Sequence, residues 1–270
     1  MTNGVPAPNR APESSGVPEP SGGPKPAEVG VGPWTGPWPS AHELATRYDE
    51  RLLREGDRRN VVDGYRYWRH EAIVADLDTR RHEVHIAVEN WEHDFNIGSV
   101  IRTANAMNVA AFHIVGRRRW NRRGAMVTDR YQHELHHPDA ASLRAWAAAQ
   151  PVGRESSGDP PGPPEADSPT MRRVGPGNGV GIPIIACENT PGATPLETFD
   201  LPRAGILFFG SEGPGLSPQA LAAADVVVGI TQFGSTRSLN AGAAAAIVMH
   251  AWIRRHVFGQ RPVPGQATRD

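Results

Sequence analysis

From residue 84 onward, short apolar runs without internal polar alternation are separated by segments with helical periodicity. A strand that is apolar at every position is covered on both faces, as strands are in a parallel sheet packed between helices. The pattern therefore predicts the α/β class: a parallel sheet with helices on both faces. The predicted strands cover residues 84–88, 111–115, 182–186, 205–209 and 226–230, and the predicted helices cover residues 98–107, 139–149, 218–224 and 239–256.

Gly and Pro are concentrated in two parts of the 270-residue chain, which contains 29 Gly and 26 Pro. Residues 1–39 hold seventeen of them, and residues 151–181 hold fourteen. Such segments cannot bury enough apolar surface to offset the entropy lost on ordering. We therefore expect a disordered tail over residues 1–39 and a low-complexity insertion over residues 151–181. The insertion interrupts a domain over residues 84–258, which a second tail follows over residues 259–270.

Residues 40–83 are expected to form a helical extension of that domain. Ser40 and Glu43 have the spacing of a capping box, which predicts one helix that continues through Leu53. The Pro-rich stretch before them contains Trp34 and Trp38. We interpret it either as an arm that tucks its rings onto the domain or as a peptide ligand for another protein.

Several classes of protein are excluded by composition. Cys187 is the only cysteine, so a disulfide scaffold is excluded. No apolar run approaches the ~18–20 residues of a membrane span, and the N-terminus lacks a secretory signal. We expect a soluble cytoplasmic protein. His133, His136 and His137 lie close together, but no carboxylate or cysteine signature accompanies them, so no metal site is expected.

Three polar loops follow predicted strands, at residues 90–102, 210–217 and 230–240. Ligands of open parallel sheets bind at the edge where the carboxyl ends of the strands lie. In the third loop Ser238 is interpreted as the N-cap of the last helix. Asn240 would then fall in the first helical turn, where Asn is a mediocre helix former.

Taken together, the three loops resemble the motifs of the SpoU/TrmH family, the RNA ribose 2′-O-methyltransferases of the SPOUT superfamily. The resemblance rests on residues 96–98 (NIG) with Arg102, on residues 210–217 (GSEGPGLS) and on residues 238–240 (SLN). Their order and spacing match the family over about residues 84–256.

The third motif departs from the family at two points. Thr231-Gln232 stand where the family usually has Pro-Met, and the family's Asn-Val-Ser is replaced by Asn240-Ala241-Gly242. These changes bear on the contacts of the cofactor loop and on the substrate more than on the reaction.

The resemblance implies a deep trefoil knot at the C-terminus, a homodimer whose active sites draw on both knots, and S-adenosylmethionine as cofactor. It assigns the cofactor to loop residues that act largely through backbone groups, namely Gly210, Gly215, Ile230 and Leu239. For the dimer interface, Trp252 and the Ala-rich face at residues 243–247 are candidates. Ordinary packing of that helix on the sheet is the alternative.

The resemblance also implies a catalytic set. It gives Arg102 a base-like role, although a guanidinium with a pKa above ~12 is a poor base. Arg102 binding the adjacent phosphate, which then helps the ribose hydroxyl to ionise, is chemically easier. Asn96 and Glu212 would orient Arg102 and the knot loops, and Ser238 and Asn240 would contact the substrate phosphate or ribose.

A separate signal for RNA is the segment over residues 117–137, which carries six arginines against Asp129 and Glu134. Arginine interleaved with Trp120 and Tyr131 is typical of phosphate binding and base stacking. The alternative is a solvated loop in a chain whose only lysine is Lys25. The arginines predicted to bind RNA are Arg117, Arg118, Arg119, Arg122, Arg123 and Arg130.

The function predicted from the sequence is therefore methyl transfer from S-adenosylmethionine to a ribose 2′-hydroxyl of tRNA or rRNA. A catalytically silent RNA-binding module of the same fold is the main alternative. Base methylation on this fold and a nucleotide-binding protein unrelated to RNA are the others.

Overall fold

A computed structural model describes residues 30–90, 96–151, 181–211, 214–236 and 238–260. The described strands are β1 (Val84–Asn90), β2 (Phe112–Gly116), β3 (Glu134–His137), β4 (Ile184–Cys187), β5 (Thr194–Pro195), β6 (Gly205–Phe209) and β7 (Val226–Gly229). The described α-helices are α1 (Ala41–Thr46), α2 (Glu50–Glu55), α3 (His70–Asp78), α4 (Ile97–Ala106), α5 (Ala140–Ala148), α6 (Pro218–Ala223) and α7 (Ala241–His256).

The strands form one sheet in the order β3-β2-β1-β6-β4-β7-β5, and each neighbouring pair is parallel. In register, Val88 of β1 lies beside Ile114 of β2 on one side and Phe209 of β6 on the other. The predicted α/β class with a parallel sheet is confirmed. Because the strands run in one direction, the loops that follow β1, β2, β4, β6 and β7 leave from one edge.

Helices cover both faces of the sheet. On one face, α4 and α7 bury Ile86, Leu207 and Trp252. On the other, α5 and α6 bury Ala87 and Phe208. Trp252 is only 2% exposed, and its indole Nε1 donates to the carbonyl of Pro202 at 3.0 Å. Its expected role at a dimer interface is wrong, because the ring packs within its own chain.

The strands β3 and β5 were not predicted. β3 lies at one end of the sheet and reads Glu-Leu-His-His, so it lacks the apolar run of the central strands. β5 lies at the other end and has only two residues. A strand at the edge of a sheet has one neighbour, and it tolerates polar residues and short length.

The N-terminal extension contains two short helices where the sequence predicts one. The capping box is confirmed, because Ser40 and Glu43 exchange side-chain to backbone hydrogen bonds. The helix ends at Thr46, and Asp49 then caps α2 by accepting from the backbone N–H groups of Arg51 and Leu52. A second strong N-cap residue thus starts a new helix.

Residues 30–39, which composition assigns to a tail, pack on this extension. The backbones of Val31 and Asp57 exchange two hydrogen bonds of 2.9 Å. The ring of Trp34 lies edge-on to Tyr67, with centroids 5.4 Å apart. Trp38 is 46% exposed and lies under the guanidinium of Arg54. The arm that tucks its rings onto the domain is therefore the interpretation that fits Trp34.

Other predicted features lie outside the described residues: the tail over residues 1–29, most of the insertion, Glu212 and residues 261–270. Within the described ranges, no helix combines the length and apolarity needed to cross a membrane.

Candidate active site

A cavity of about 300 Å³ lies at the carboxyl edge of β4, β6 and β7, beside the start of α7. Its apolar wall includes Leu196, Phe209, Val228 and Val248. All four predicted cofactor residues and two of the predicted catalytic residues line it: Gly210, Gly215, Ile230, Leu239, Ser238 and Asn240. The structure thus brings the second and third motif loops together around one space.

Two glycines are required by the geometry of the loop after β6. A Cβ on Gly210 would collide with the backbone of Gly215. Gly215 has a φ of +74°, and a Cβ there would collide with the carboxylate of Glu188. Only glycine allows this close approach without strain. The two glycines therefore let the loop fold tightly against the end of β4.

Two carboxylates fix the same loop from two different strands. Glu188, which follows β4, accepts from the backbone N–H of Leu216 at 2.8 Å. Glu89, in β1 and only 2% exposed, accepts from the backbone N–H of Ser217 at 2.7 Å and from its hydroxyl at 2.6 Å. Hydrogen bonds to ionised acceptors are about twice as strong as neutral ones. The loop that borders the cavity is thus tied to buried strand ends.

Sequence reasoning missed both carboxylates. The available signal was the pair Glu-Asn, which ends the apolar run of β1 as Glu89-Asn90 and follows that of β4 as Glu188-Asn189. A charged residue directly after a buried strand is placed at the edge where ligands bind.

At the start of α7, the helix cap is Asn240. Its Oδ1 accepts from the backbone N–H groups of Gly242 and Ala243 at 3.0 and 3.2 Å. The prediction of Ser238 as N-cap is wrong, because the helix starts two residues later, at Ala241. This position also explains why an Asn stands there, since Asn is among the strongest N-cap residues.

Asn240 also connects the third motif to the first. Its Nδ2 donates to Oδ1 of Asn96, at 3.1 Å. Asn96 precedes α4 and lines a smaller recess beside the cavity, together with Glu89 and Gly210. Two of the predicted catalytic residues are therefore in direct contact.

Arg102 lies apart from these groups. It is exposed on α4 and lines neither the cavity nor the recess. The core-facing positions of that helix are Ile97, Val100, Ile101 and Ala104. Arg102 has no hydrogen bond or ion pair with another described residue. Its guanidinium is available to a ligand or partner that approaches from outside.

The arginine-rich segment follows β2 and rests against α4. Gly98 and Gly124 meet so closely that a Cβ on Gly98 would lie 2.6 Å from the Cα of Gly124. Asn90 fixes the start of the segment, since its Nδ2 donates to the carbonyls of Arg117 and Arg119 at 2.7 and 3.0 Å. The segment therefore lies on the same side of the sheet edge as the helix that carries Arg102.

The predicted RNA-binding arginines are of two kinds. Arg122 pairs with Asp129 at 2.6 Å and with Glu134 at 3.0 Å, and it lies 4.6 Å from the ring centroid of Trp120. The others are exposed and form no ion pair with a described carboxylate: Arg117, Arg118, Arg119, Arg123 and Arg130. Of these six arginines, Arg122 alone forms ion pairs with described carboxylates.

The expected stacking of bases on Trp120 and Tyr131 is wrong. Trp120 is 8% exposed and donates from Nε1 to Glu134. Tyr131 is 6% exposed and packs with Tyr65 and Ile73 of the N-terminal extension. Both rings are held in the protein interior, so the segment presents charge without exposed aromatic faces from these two residues.

Three histidines form a row on the α5 face of the sheet. Nδ1 of His85 lies 3.0 Å from Nε2 of His113, and Nδ1 of His113 lies 2.9 Å from Nε2 of His137. The ring of Trp146 packs against all three imidazoles. Burial lowers the pKa of His85 to about 4 and holds the pKa of His113 well below its usual range. Burial, with the nearby His136, also lowers the pKa of His137. This neutral row has a structural role. The described residues contain no group of three or more His, Cys, Asp or Glu side chains that is arranged to hold a metal ion.

The comparisons with known proteins agree with this geometry. A family model described as the SpoU rRNA Methylase family matches residues 176–250. The tRNA (guanosine(18)-2′-O)-methyltransferase of Borreliella burgdorferi is 39% identical over 75 residues, which are 28% of this chain and 34% of that protein. The enzyme of the same name from Escherichia coli K12 is 24% identical over 188 residues, which are 67% of this chain and 68% of that protein.

Among solved structures, the fold is similar to that of the SpoU methyltransferase AviRb from Streptomyces viridochromogenes in complex with AdoMet. The TM-score is 0.50 with 21% identity, over 68% of this chain and 62% of that one. The aligned part of the present chain thus spans about a third of the first curated relative and less than two thirds of this structural neighbour.

Proposed function

We propose that this chain is a member of the SpoU/TrmH family, whose model matches residues 176–250, and that it transfers a methyl group from S-adenosylmethionine to a ribose 2′-hydroxyl of tRNA or rRNA. The observation that carries the proposal is the cavity at the carboxyl edge of the sheet. The second and third motifs border it, and the contact from Asn240 to Asn96 joins the first motif to them. The names of the relatives support RNA as the substrate class.

The residues that line the cavity suit the chemical groups of S-adenosylmethionine. The close approach at Gly210 leaves a backbone wall, which suits the donors and acceptors of adenine. Apolar side chains supply the rest of that wall. Among the described lining residues, the one ionised side chain is Glu188, and neither Lys nor Arg is present. A positively charged sulfonium is therefore not repelled there.

When bound, S-adenosylmethionine supplies an electrophilic methyl group on its sulfonium sulfur. That methyl group would pass to the ribose O2′ of an RNA bound beside the cavity, with S-adenosylhomocysteine and a proton as the other products. The O2′ proton would pass to water, because the neighbouring phosphodiester is itself too weak a base to take it. Arg102 holds that phosphate, and this use of its charge avoids the need for a guanidinium base. Asn96 and Asn240 hold the loops in register, so that alignment supplies much of the acceleration.

Arg102 also supports a homodimer. Arg102 lies outside the cavity of its own chain. In a homodimer it would instead lie beside the cofactor that the second copy binds. Leu239 and Ile247, which are 38% and 43% exposed, supply apolar area near the start of α7 for such an interface. The trefoil knot, with α7 threaded past the loop over residues 210–217, is part of the same proposal, as is location in the cytoplasm with tRNA and ribosomes.

The exposed arginines after β2 are proposed to bind the RNA backbone. Arg117, Arg118, Arg119, Arg123 and Arg130 have no described carboxylate partner, and they flank the helix that carries Arg102. Phosphate contacts of this kind give affinity without reading sequence. Arg122 supports the shape of the segment through Asp129 and Glu134.

The test is transfer of a labelled methyl group from S-adenosylmethionine to total tRNA and, separately, to rRNA. We expect signal on one class, confined to the ribose 2′-O position after nuclease digestion. Arg102→Ala should lower the rate at least ~100-fold, as expected for loss of a group that stabilises developing charge. It should leave cofactor affinity within twofold of wild type, because Arg102 does not line the cavity.

Arg51→Ala is the matched control, because Arg51 is an exposed helical arginine in the N-terminal extension. It should retain full activity. RNA binding without transfer to either class would favour the silent RNA-binding module. Label on a base would favour the base-methylating alternative.

A further inference from the structure

The loop between β7 and α7 contains Thr231 and Gln232, which form one of the two points at which the third motif departs from the SpoU/TrmH pattern. At these two positions the family usually has Pro, which lacks a backbone N–H, and Met, whose side chain contains a thioether. Both replacements add hydrogen-bonding groups beside the cavity. One of these groups anchors the loop, and the other places a hydrogen-bond acceptor at the cavity.

Thr231 uses the groups that proline does not have. Its backbone N–H donates to Oε1 of Glu197 at 3.1 Å, and its hydroxyl donates to Oε2 of the same carboxylate at 2.7 Å. A proline at this position could make neither contact. The loop is therefore anchored by two hydrogen bonds in place of the stiffness of a proline ring.

The anchor lies next to the wall of the cavity. Leu196, adjacent to Glu197, lines the cavity and donates its backbone N–H to the carbonyl of Gly229 at 2.8 Å. Pro195 is in register with Gly229 at the edge of the sheet. The segment at Leu196 and Glu197 thus contacts β7 through Gly229 and the loop through Thr231. These contacts fix the backbone directly before Gln232.

Gln232 lines the cavity and carries an unsatisfied buried acceptor. Its Oε1 is buried and accepts no hydrogen bond from any described residue. The other described side-chain atoms in that condition, in Asn105 and Gln132, do not line the cavity. Leaving a buried acceptor unpaired costs free energy, and native proteins pair the great majority of them. A donor on a bound molecule would satisfy this atom.

We propose that the carboxamide oxygen of Gln232 accepts a hydrogen bond from bound S-adenosylmethionine, and that Glu197 positions it by holding Thr231. This inference rests on the proposed function. The cofactor offers three kinds of donor: its ammonium group, its ribose hydroxyls and the amino group of its adenine. A methionine thioether is a weak acceptor and could not replace this bond.

The experiment is calorimetric titration of the full chain with S-adenosylhomocysteine, the product form of the cofactor, and with 5′-methylthioadenosine, which lacks the amino-acid part. Gln232→Met should raise the Kd for S-adenosylhomocysteine about fivefold to tenfold, as loss of one hydrogen bond predicts. An equal loss with both ligands assigns the bond to the adenosine part. A loss with S-adenosylhomocysteine alone assigns it to the ammonium group.

Melting of the free protein separates this role from a structural one. Because Gln232→Met removes an unpaired buried acceptor, the melting temperature without ligand should stay equal or rise, while the shift caused by ligand becomes smaller. Gln219→Met is the matched control: Gln219 is exposed on α6, and its replacement should change neither quantity.

The positioning role of Glu197 is tested by a double-mutant cycle. Glu197→Ala should raise the Kd of wild type about threefold, but it should raise that of Gln232→Met less, because both changes act through one contact. Gln232→Met with wild-type affinity for both ligands would overturn the inference and leave the proposed function intact. Failure of wild type to bind either ligand, or S-adenosylmethionine itself, would overturn both.

Discussion

The Gly-rich loop over residues 210–217 and the Arg-rich segment over residues 117–137 begin at the same edge of the sheet. Consecutive residues of β1 hold them by opposite kinds of hydrogen bond, one accepting and the other donating. Glu89 accepts hydrogen bonds from the backbone N–H and hydroxyl of Ser217. Its neighbour Asn90 donates to the carbonyls of Arg117 and Arg119. Consecutive residues at one strand end therefore support the two regions of the proposed site.

The difference between the regions indicates how each would bind its ligand. In the Gly-rich region the backbone is held by the carboxylates of Glu89 and Glu188, so a cavity of fixed shape remains. In the Arg-rich segment the backbone is fixed at its start, while the charged ends of the side chains reach solvent. Cofactor affinity should therefore depend on shape and be insensitive to salt, whereas RNA affinity should fall steeply with salt.

The largest effect is expected at Glu89. Glu89→Ala leaves the N–H and hydroxyl of Ser217 without their acceptor in a buried setting, so the free energy of unfolding should fall by about 2–3 kcal/mol. Cofactor affinity should fall at least ~10-fold, because the loop borders the cavity. Urea denaturation and calorimetry measure the two effects. Glu83→Ala, which removes a surface ion pair to Arg203, should cost less than ~1 kcal/mol.

The next effect is expected in the Arg-rich segment. Replacing Arg117, Arg118 and Arg119 together by Ala should weaken RNA binding about 30-fold at low salt. It should also reduce the slope of log affinity against log salt by about 2, since each lost phosphate contact lowers it by ~0.7 on a single strand. Filter binding over a salt series measures both, and cofactor affinity should not change.

Arg122→Ala is the comparison for that triple variant. It should lower thermal stability through its lost contacts with Asp129, Glu134 and Trp120, while the salt slope changes by less than ~1. An unchanged slope in the triple variant would contradict a phosphate-binding role for the segment.

A smaller effect is expected at Asn90. Asn90→Ala removes two hydrogen bonds to carbonyls, which should cost ~1–2 kcal/mol of stability and weaken RNA binding about fivefold by loosening the segment. Cofactor affinity should stay within twofold. If Asn90→Ala and Glu89→Ala instead damaged both ligands equally, the division of labour between the two residues would be wrong.

The smallest effect concerns pH and the strands that carry the Arg-rich segment. An unfolded histidine titrates near 6.5, while burial lowers the pKa of folded His85 to about 4. The unfolded chain then binds protons that the folded chain does not. Stability is fully present above about pH 6.5 and falls as the pH drops toward 4. The free energy of unfolding should be at least about 1 kcal/mol lower at pH 5.5 than at pH 7.5.

Urea denaturation at several pH values checks this expectation. His85→Phe should remove part of the pH dependence, and His42→Gln, in the exposed α1, should leave it unchanged. A stability that is flat from pH 7.5 to 5.5 would contradict neutral burial of the row formed by His85, His113 and His137.

Local sequence patterns were sufficient to predict the structure of segments that depend mainly on their own residues. The apolar runs predicted the five central strands, because burial on both faces favours apolar side chains at most positions. The Ser40–Glu43 capping box formed as its spacing predicts. The loops that contain Gly210 and Ile230 lie at the same edge of the sheet, as expected for loops that follow parallel strands.

Predictions from local patterns were wrong where a contact with residues distant in sequence determines the structure. Ser238 and Asn240 are both good cap residues, and contact with Asn96, far away in sequence, accompanies the choice of Asn240. Trp120 and Tyr131 lie among arginines and were expected at the surface, but α4 and the N-terminal extension provide apolar surface that buries them. Burial of an aromatic ring depends on what packs over it, and no short window of sequence contains that information.

The sequence by itself determined the parallel sheet, the edge at which the loops gather and the residue types available there. The tertiary structure alone decided what each polar group holds. Glu89 holds the Gly-rich loop at Ser217, Asn90 holds the start of the Arg-rich segment, and Glu197 holds the hydroxyl of Thr231. Periodicity is a property of neighbouring residues, whereas a hydrogen bond between residues 89 and 217 requires the strand order β1-β6-β4 to exist first.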